Sequence, residues 1–274
     1  MNMLSFTAPD GVQLAYRDEG TGLPVIALAG LTRQSGDFDF VAPHLKDVRL
    51  IRLDYRGRGA SDWADWKTYT IDQEARDVLA LMDHLDLPKA AFLGTSRGGM
   101  ISMALATFAK ARMLGVCLND IGPVIEPAGL AAIDLFLGRN PDAATFEKAA
   151  QARAHLARGF ANVAPERWLA DVKNLFRETA TGLEINYDPA LREAFAAAGT
   201  ELPPLWPLFD ALEGLPLALI HGAGSDILCD ATVQEMRARR PDMRVARLED
   251  RAHVPWLDEP EALAVIQSWL GDMR

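Results

Sequence analysis

The stretch AAFLGTSRGGMISMALA, residues 90–106, decides the fold. Residues 90–93 form an apolar run that stops at Gly94, and Ser96 stands between Gly94 and Gly98. Beyond it, apolar side chains recur every third or fourth position, at Met100, Ile101, Ala104 and Leu105. A continuous run giving way to helical spacing predicts a buried strand, a turn and a helix. A turn this tight holds its central residue at strained backbone angles, and a side chain at either flanking glycine would collide with the neighbouring strand and helix. Gly94-Thr95-Ser96-Arg97-Gly98 matches the G-x-S-x-G elbow, which lifts a serine hydroxyl above a sheet at the positive end of a helix. The pentapeptide alone is a common chance match; the strand before it and the helix after it give it weight.

On both sides of this elbow the same alternation extends over most of the chain. Residues 4–7 and 12–16 alternate around Pro9, Asp10 and Gly11, which predicts a hairpin of edge strands. Continuous apolar runs at 25–28 and 48–53, with a short helix expected at 39–45 between them, predict parallel strands buried on both faces. Asp54-Tyr55-Arg56-Gly57-Arg58-Gly59-Ala60-Ser61 is a charged glycine-rich turn; it lacks both the G-K-[ST] ending and the G-x-G-x-x-G register of phosphate loops, so it predicts a structural loop tied by Asp and Arg. A helix follows at 70–85, capped by Thr70, with Asp72 and Glu74 in its first turn. After a strand at 115–118 the pattern changes: residues 124–205 hold helical patterns at 128–137, 143–158, 166–176 and 189–197 with no strand-like run. Strands resume at 215–220 and 245–248, with helices at 231–239 and 260–269. The expected architecture is an α/β core from 1–123 and 206–274, a mostly parallel central sheet with flanking helices, interrupted by an all-helical insertion at 124–205.

The 274 residues suffice for one large domain of this kind. A net charge of −10 with no Lys/Arg-rich run argues against nucleic-acid or anionic-membrane binding. The N-terminal stretch has no basic segment followed by a long apolar one, and no apolar run approaches the roughly 18 residues of a membrane span, so a cytoplasmic protein is expected. Two cysteines, Cys117 and Cys229, make no disulfide framework, and the five histidines show no metal-ligand spacing, so no metal is expected.

A serine hydroxyl needs a base to take its proton, and the base needs an acid to hold its tautomer. His253, in a loop just past the last strand, fits the base in a Ser, Asp, His chain order. Asp226, after the strand and glycine turn of residues 217–225, is the first candidate for the acid because it follows the insertion and lies close to the histidine strand. Asp120, just past the strand after the elbow, is its rival. Two backbone donors are needed for the developing oxyanion: the N–H of Arg97, and one from the loop after the 25–28 run, with Leu31 the expected donor.

In this order, the oxyanion loop, the 54–61 turn, the elbow, the helical insertion, residues 221–226 and residues 253–260 make the chain resemble, over essentially its full length, the α/β-hydrolases that carry a cap, a family of esterases, enol-lactonases and C–C bond hydrolases. The resemblance implies a serine hydrolase, with no cofactor, cleaving a carboxylic ester or lactone of a small, largely apolar molecule; a C–C bond hydrolase of a diketone and a catalytically slow ligand receptor are its alternatives. The related epoxide hydrolases and dehalogenases use an Asp nucleophile where this chain has Ser96. Cap side chains Leu135, Phe136, Leu169, Leu175, Phe176 and Trp206 are candidate pocket lining, and a homodimer is admitted but not required. Three departures stand out: Ala29 replaces the usual histidine of the oxyanion loop, Ala252 the usual glycine before the histidine, and Arg97 a commonly apolar residue. A cation at a helix N-terminus opposes the helix dipole, so Arg97, with Arg33, is expected to hold a carboxylate, either an internal one such as Asp120 or a substrate's.

Overall fold

The computed structural model describes residues 3–199 and 203–274; positions 200–202 of the expected cap lie outside the described residues. The first apolar run becomes β5 (Ala90–Thr95), buried along its whole length near the middle of an eight-stranded sheet. In chain order the sheet is built from β1 (Leu4–Thr7), β2 (Gln13–Gly20), β3 (Leu23–Leu28), β4 (Val48–Leu53), β5, β6 (Met113–Asn119), β9 (Leu217–Gly222) and β10 (Arg244–Leu248). Their spatial order is β1-β2-β4-β3-β5-β6-β9-β10. The β1–β2 and β2–β4 pairings are antiparallel and the rest parallel, so the sheet is mostly parallel, as expected.

The continuous apolar runs are explained by the two faces they serve. Successive side chains of a strand point to opposite sides. Ile26, Leu28, Phe92 and Leu118 therefore join one core with Val78, Leu81, Ile101 and Met103. Val25, Ala27, Ala91, Leu93 and Cys117 join the opposite core with Ile266 and Trp269. The helices supplying those partners are α1 (Ile71–His84) and α2 (Arg97–Phe108) on the first face and α9 (Pro260–Gly271) on the second. Helix α1 starts as the sequence indicates: the Thr70 hydroxyl accepts from Gln73 N–H at 3.2 Å, satisfying one of the free N–H groups of the first turn. Each fully buried Val, Leu or Met on these faces contributes about 1.5–3 kcal/mol. The helix expected at 39–45 is instead two 3-10 turns, Ser35–Asp39 and Ala42–His44, separated before Pro43 can extend a helix.

Between β6 and β9 the chain makes a long excursion, with α3 (Pro127–Phe136), α4 (Phe146–Leu156), α5 (Pro165–Leu175) and α6 (Leu191–Ala198), then α7 (Trp206–Asp210). It is not all-helical. An antiparallel hairpin of β7 (Phe176–Thr179) and β8 (Gly182–Ile185) sits between α5 and α6, its Leu183 and Ile185 buried. The remaining helix, α8 (Asp230–Arg239), links β9 to β10. Among the described residues, no helix is long and apolar enough to cross a membrane.

The elbow is packed as tightly as its glycines suggest. A Cβ on Gly98 would stand 2.1 Å from the Leu28 carbonyl oxygen, and one on Gly94 would stand 2.6 Å from the Gly98 carbonyl. Gly98→Ala should therefore push the end of β3 away from α2 and lower the unfolding free energy by about 1–3 kcal/mol, read as a drop in the urea midpoint. Gly271→Ala is the matched control, because nothing lies within 4 Å of a Cβ there. It should be neutral or stabilising by up to about 1 kcal/mol.

Candidate active site

Ser96 occupies the sharp turn from β5 into α2 with φ 50° and ψ −113°, a left-handed conformation that costs a non-glycine residue about 1–3 kcal/mol. The strain is held by both neighbours: Ser96 N–H donates to Asn119 O at 3.0 Å, and Ser96 O accepts from Gly99 N–H at 2.9 Å. The hydroxyl so raised lies 3.0 Å from His253 Nε2. His253 stands in the loop between β10 and α9. That loop is fastened by Arg251 to Glu259 at 2.8 Å, by Trp256 N–H to Glu259 at 3.2 Å, and by Asn119 Nδ2 to Pro255 O at 3.1 Å.

The carboxylate that reaches His253 is Asp120, not Asp226. Its Oδ2 is 2.8 Å from His253 Nδ1 and accepts from the Ser225 hydroxyl at 2.6 Å, while Oδ1 accepts from Gly222 N–H at 2.8 Å. Asp226 is exposed, and its carboxylate has no hydrogen-bond partner among the described residues. The sheet order supplies the reason. Thr95 at the end of β5 faces Asn119 at the end of β6, so Asp120 leaves the sheet one strand from Ser96. Asp226 lies beyond the β9 turn, where Ser225 from that same turn serves Asp120 instead. Asp120 is fully buried with φ 53°, a second strained residue aimed at this cluster.

The loop after β3 lies against the serine, for a Cβ on Gly30 would stand 3.8 Å from Ser96 Cβ. Its first three carbonyls are held. Ala29 O accepts from the Tyr55 hydroxyl at 3.1 Å, Gly30 O from Arg33 N–H at 3.1 Å, and Leu31 O from Arg58 Nε at 3.0 Å. In a trans peptide the N–H points opposite the preceding C=O, so fixing Gly30 O also fixes the direction of Leu31 N–H. Neither Leu31 N–H nor Arg97 N–H has a hydrogen-bond partner among the described residues. Arg97 N–H belongs to the first turn of α2, where such groups are free and the helix dipole favours negative charge.

Arg97 does hold an internal carboxylate, but it is Glu74 rather than Asp120: Nε donates to Glu74 Oε2 at 2.6 Å and Nη2 to Tyr69 O at 2.9 Å. Arg33 is also internally paired, to Asp37 at 2.5 Å and to Asp171 of α5 at 2.6 Å. Asp171 is paired as well with Arg153 of α4. Burial raises the Asp171 carboxyl, yet Arg153 and Arg33 outweigh it and hold it well below the usual carboxylate range. Tyr69 donates to Asp188 at 2.6 Å, and burial followed by that hydrogen bond pushes its hydroxyl up to about 12.

The excursion lies over the C-terminal edge of the sheet, where these residues meet. Besides the Arg33–Asp171 pair, Asn174 Nδ2 donates to Gly36 O at 2.9 Å, and Ala161 N–H donates to Asp250 O at 3.0 Å. Trp168 and Phe160 pack on Trp256 of the histidine loop, with centroids 5.3 and 5.2 Å away. Two of the expected lining residues do not face inward: Leu135 is 73% exposed and Phe136 53%. Trp206 packs against the core with Arg239 stacked on it at 4.2 Å. Residues that sequence reasoning did not single out for the site are Arg58, Glu74, Tyr55, Asn119 and Ser225, which act from distant positions to hold the groups nearest the hydroxyl.

A profile of the alpha/beta hydrolase family matches residues 25–266. A 3-hydroxybutyrate-oligomer hydrolase from Cupriavidus necator is 33% identical over 94% of this chain and 93% of its own. A 3-oxoadipate enol-lactonase from Acinetobacter baylyi is 29% identical over 78% of this chain and 74% of its own. The crystal structure of an alpha/beta hydrolase from Novosphingobium aromaticivorans superposes with a TM-score of 0.92 at 34% identity, covering 99% of this chain and 98% of that one. With the sheet order, the serine elbow and these similarities in agreement, the chain belongs to the alpha/beta hydrolase family.

Proposed function

We propose that the protein is a serine hydrolase that cleaves a carboxylic ester, or the equivalent lactone, of a small and largely apolar molecule through an acyl-enzyme. The observation that carries this reading is the unbroken chain from Ser96 Oγ to His253 Nε2 at 3.0 Å and from His253 Nδ1 to Asp120 at 2.8 Å. In the first step Ser96 Oγ attacks the ester carbonyl while its proton passes to His253 Nε2. Asp120 accepts from Nδ1–H and stabilises the imidazolium. The carbonyl oxygen, now carrying the electron pair, is received by the N–H groups of Leu31 and Arg97. Collapse of this intermediate expels the alkoxide, which takes the proton from His253, and leaves Ser96 acylated. Water then repeats the sequence, giving its proton to His253 and releasing the acid and free Ser96. The segment between β6 and β9 acts as a cap that shelters this chemistry from bulk water.

Similarity to the 3-hydroxybutyrate-oligomer hydrolase makes a short oligoester of a hydroxy acid the first substrate to try. The test is hydrolysis of p-nitrophenyl esters of increasing acyl length and of 3-hydroxybutyrate dimer and trimer. Turnover of the short-chain esters or of the oligomers is expected. Failure on every ester and lactone, with cleavage of a vinylogous diketone, would replace this reading with C–C bond hydrolysis.

A further inference from the structure

Leu31 and Arg97, whose N–H groups are assigned to the oxyanion, lie on different elements, yet one buried carboxylate is tied to both. Glu74, in the first turn of α1, is fully buried. Its Oε2 accepts from Arg97 Nε at 2.6 Å, and its Oε1 lies 2.8 Å from Arg58 Nη1. Arg58, also fully buried, donates from Nε to Leu31 O at 3.0 Å and from Nη1 to Arg56 O at 2.7 Å. The path Leu31–Arg58–Glu74–Arg97 thus joins one donor loop to the other through two ion pairs and one hydrogen bond.

An ion pair serving only the fold would need one of these cations. The second one is Arg97, which stands at the start of α2 against the helix dipole and shares Glu74 with Arg58, so the three side chains together carry a net positive charge. Its position is costly for stability and useful at one spot, the residue whose own N–H receives the oxyanion.

We propose that Glu74 is a positioning residue that sets the spacing of the two oxyanion donors, gripping Arg97 with one carboxylate oxygen and, through Arg58, the Leu31 loop with the other. This inference rests on the serine hydrolase reading above. Stabilisation of an oxyanion needs donors within a few tenths of an ångström of the developing charge, and a misplacement of about 1 Å can cost about 10²-fold in rate. Loosening the link should therefore lower kcat and leave KM alone, because the donors matter in the transition state more than in substrate binding.

The experiment first labels the wild type with a fluorophosphonate and identifies the modified peptide. Without label on Ser96 the hydrolase reading falls, and this proposal with it. With label on Ser96, Glu74→Gln, Arg97→Met and the double variant are compared on a p-nitrophenyl ester and with an alkyl boronic acid, which forms a tetrahedral adduct on the serine. The expected result is a fall in kcat of roughly tenfold for Arg97→Met and roughly hundredfold for Glu74→Gln, with KM within about twofold. Boronate affinity should fall by the same factors, and the double variant should be no worse than Glu74→Gln alone, since both changes cut one link. The Tm of Arg97→Met should be no lower than that of the wild type. Unchanged kcat and boronate affinity in Arg97→Met would overturn the proposal, as would a Tm that falls along with kcat. If Glu74→Gln does not fold, Arg97→Met decides alone.

Discussion

Ser96→Ala is expected to lose ester turnover by roughly 10⁴ to 10⁶-fold while keeping the fold, read as kcat beside the urea midpoint on the same preparations. The substitution removes the atom proposed to form the acyl-enzyme and leaves the proposed oxyanion donors, Leu31 and Arg97 N–H, in place, so a small residual rate and near-normal substrate binding should remain. Stability should change by no more than about 1 kcal/mol, the worth of the single hydrogen bond to His253. Backbone strain at φ 50° persists, because alanine resists that conformation as serine does. Ser96→Gly relieves it, and should be equally inactive but more stable than Ser96→Ala by about 1 kcal/mol. That ordering tests whether the elbow stores strain for the sake of the hydroxyl. Turnover surviving in Ser96→Ala would end the acyl-enzyme mechanism.

The parts of the site that could be read from sequence are those set by local rules. Gly94 and Gly98 are dictated by a turn in which a Cβ at either would meet backbone at 2.1–2.6 Å, so the elbow around Ser96 is visible in five residues. His253 was legible from its place after the last strand. The partner acid was not, because chain order says nothing of sheet order: Asp226 is nearer to His253 in sequence, while β6 lies between β5 and β9 in space. A signal was present in Asp120 itself, an ionisable residue directly ending a strand whose last five residues are buried. The hairpin at Phe176–Ile185 was hidden differently, since the helical spacing of α5 runs without a break into Phe176 and absorbs the first strand. Glu74 looked sufficient as a first-turn acid for α1, and Arg58 as a loop fastener. Only the packing of α1 against α2 brings them to Arg97, and no local pattern encodes a pairing across positions 58, 74 and 97.

Asp120→Asn should lower kcat by roughly 10⁴-fold, whereas Asp226→Asn should stay within about twofold of wild type. The asymmetry follows from what each carboxylate touches. Asp120 accepts from Gly222 N–H with one oxygen, and the other takes the Ser225 hydroxyl and faces His253 Nδ1. A carboxamide has one oxygen and one NH₂ in that position. With its oxygen toward Gly222, its NH₂ faces His253 Nδ1, which must then be the acceptor; the ring proton moves to Nε2, and the base can no longer take the Ser96 proton. With the amide turned the other way, NH₂ opposes the Gly222 N–H and a buried donor loses its partner, at a cost of about 1–3 kcal/mol. Either orientation harms the protein, the first in kcat and the second in stability, so the two measurements together report which one the side chain adopts. Asp226 is exposed and makes no such contacts, and its charge is screened by solvent. Equal losses in the two variants would mean that His253 exchanges its acid in solution, and retention of both activity and stability in the two variants would mean that Ser96 and His253 work without one.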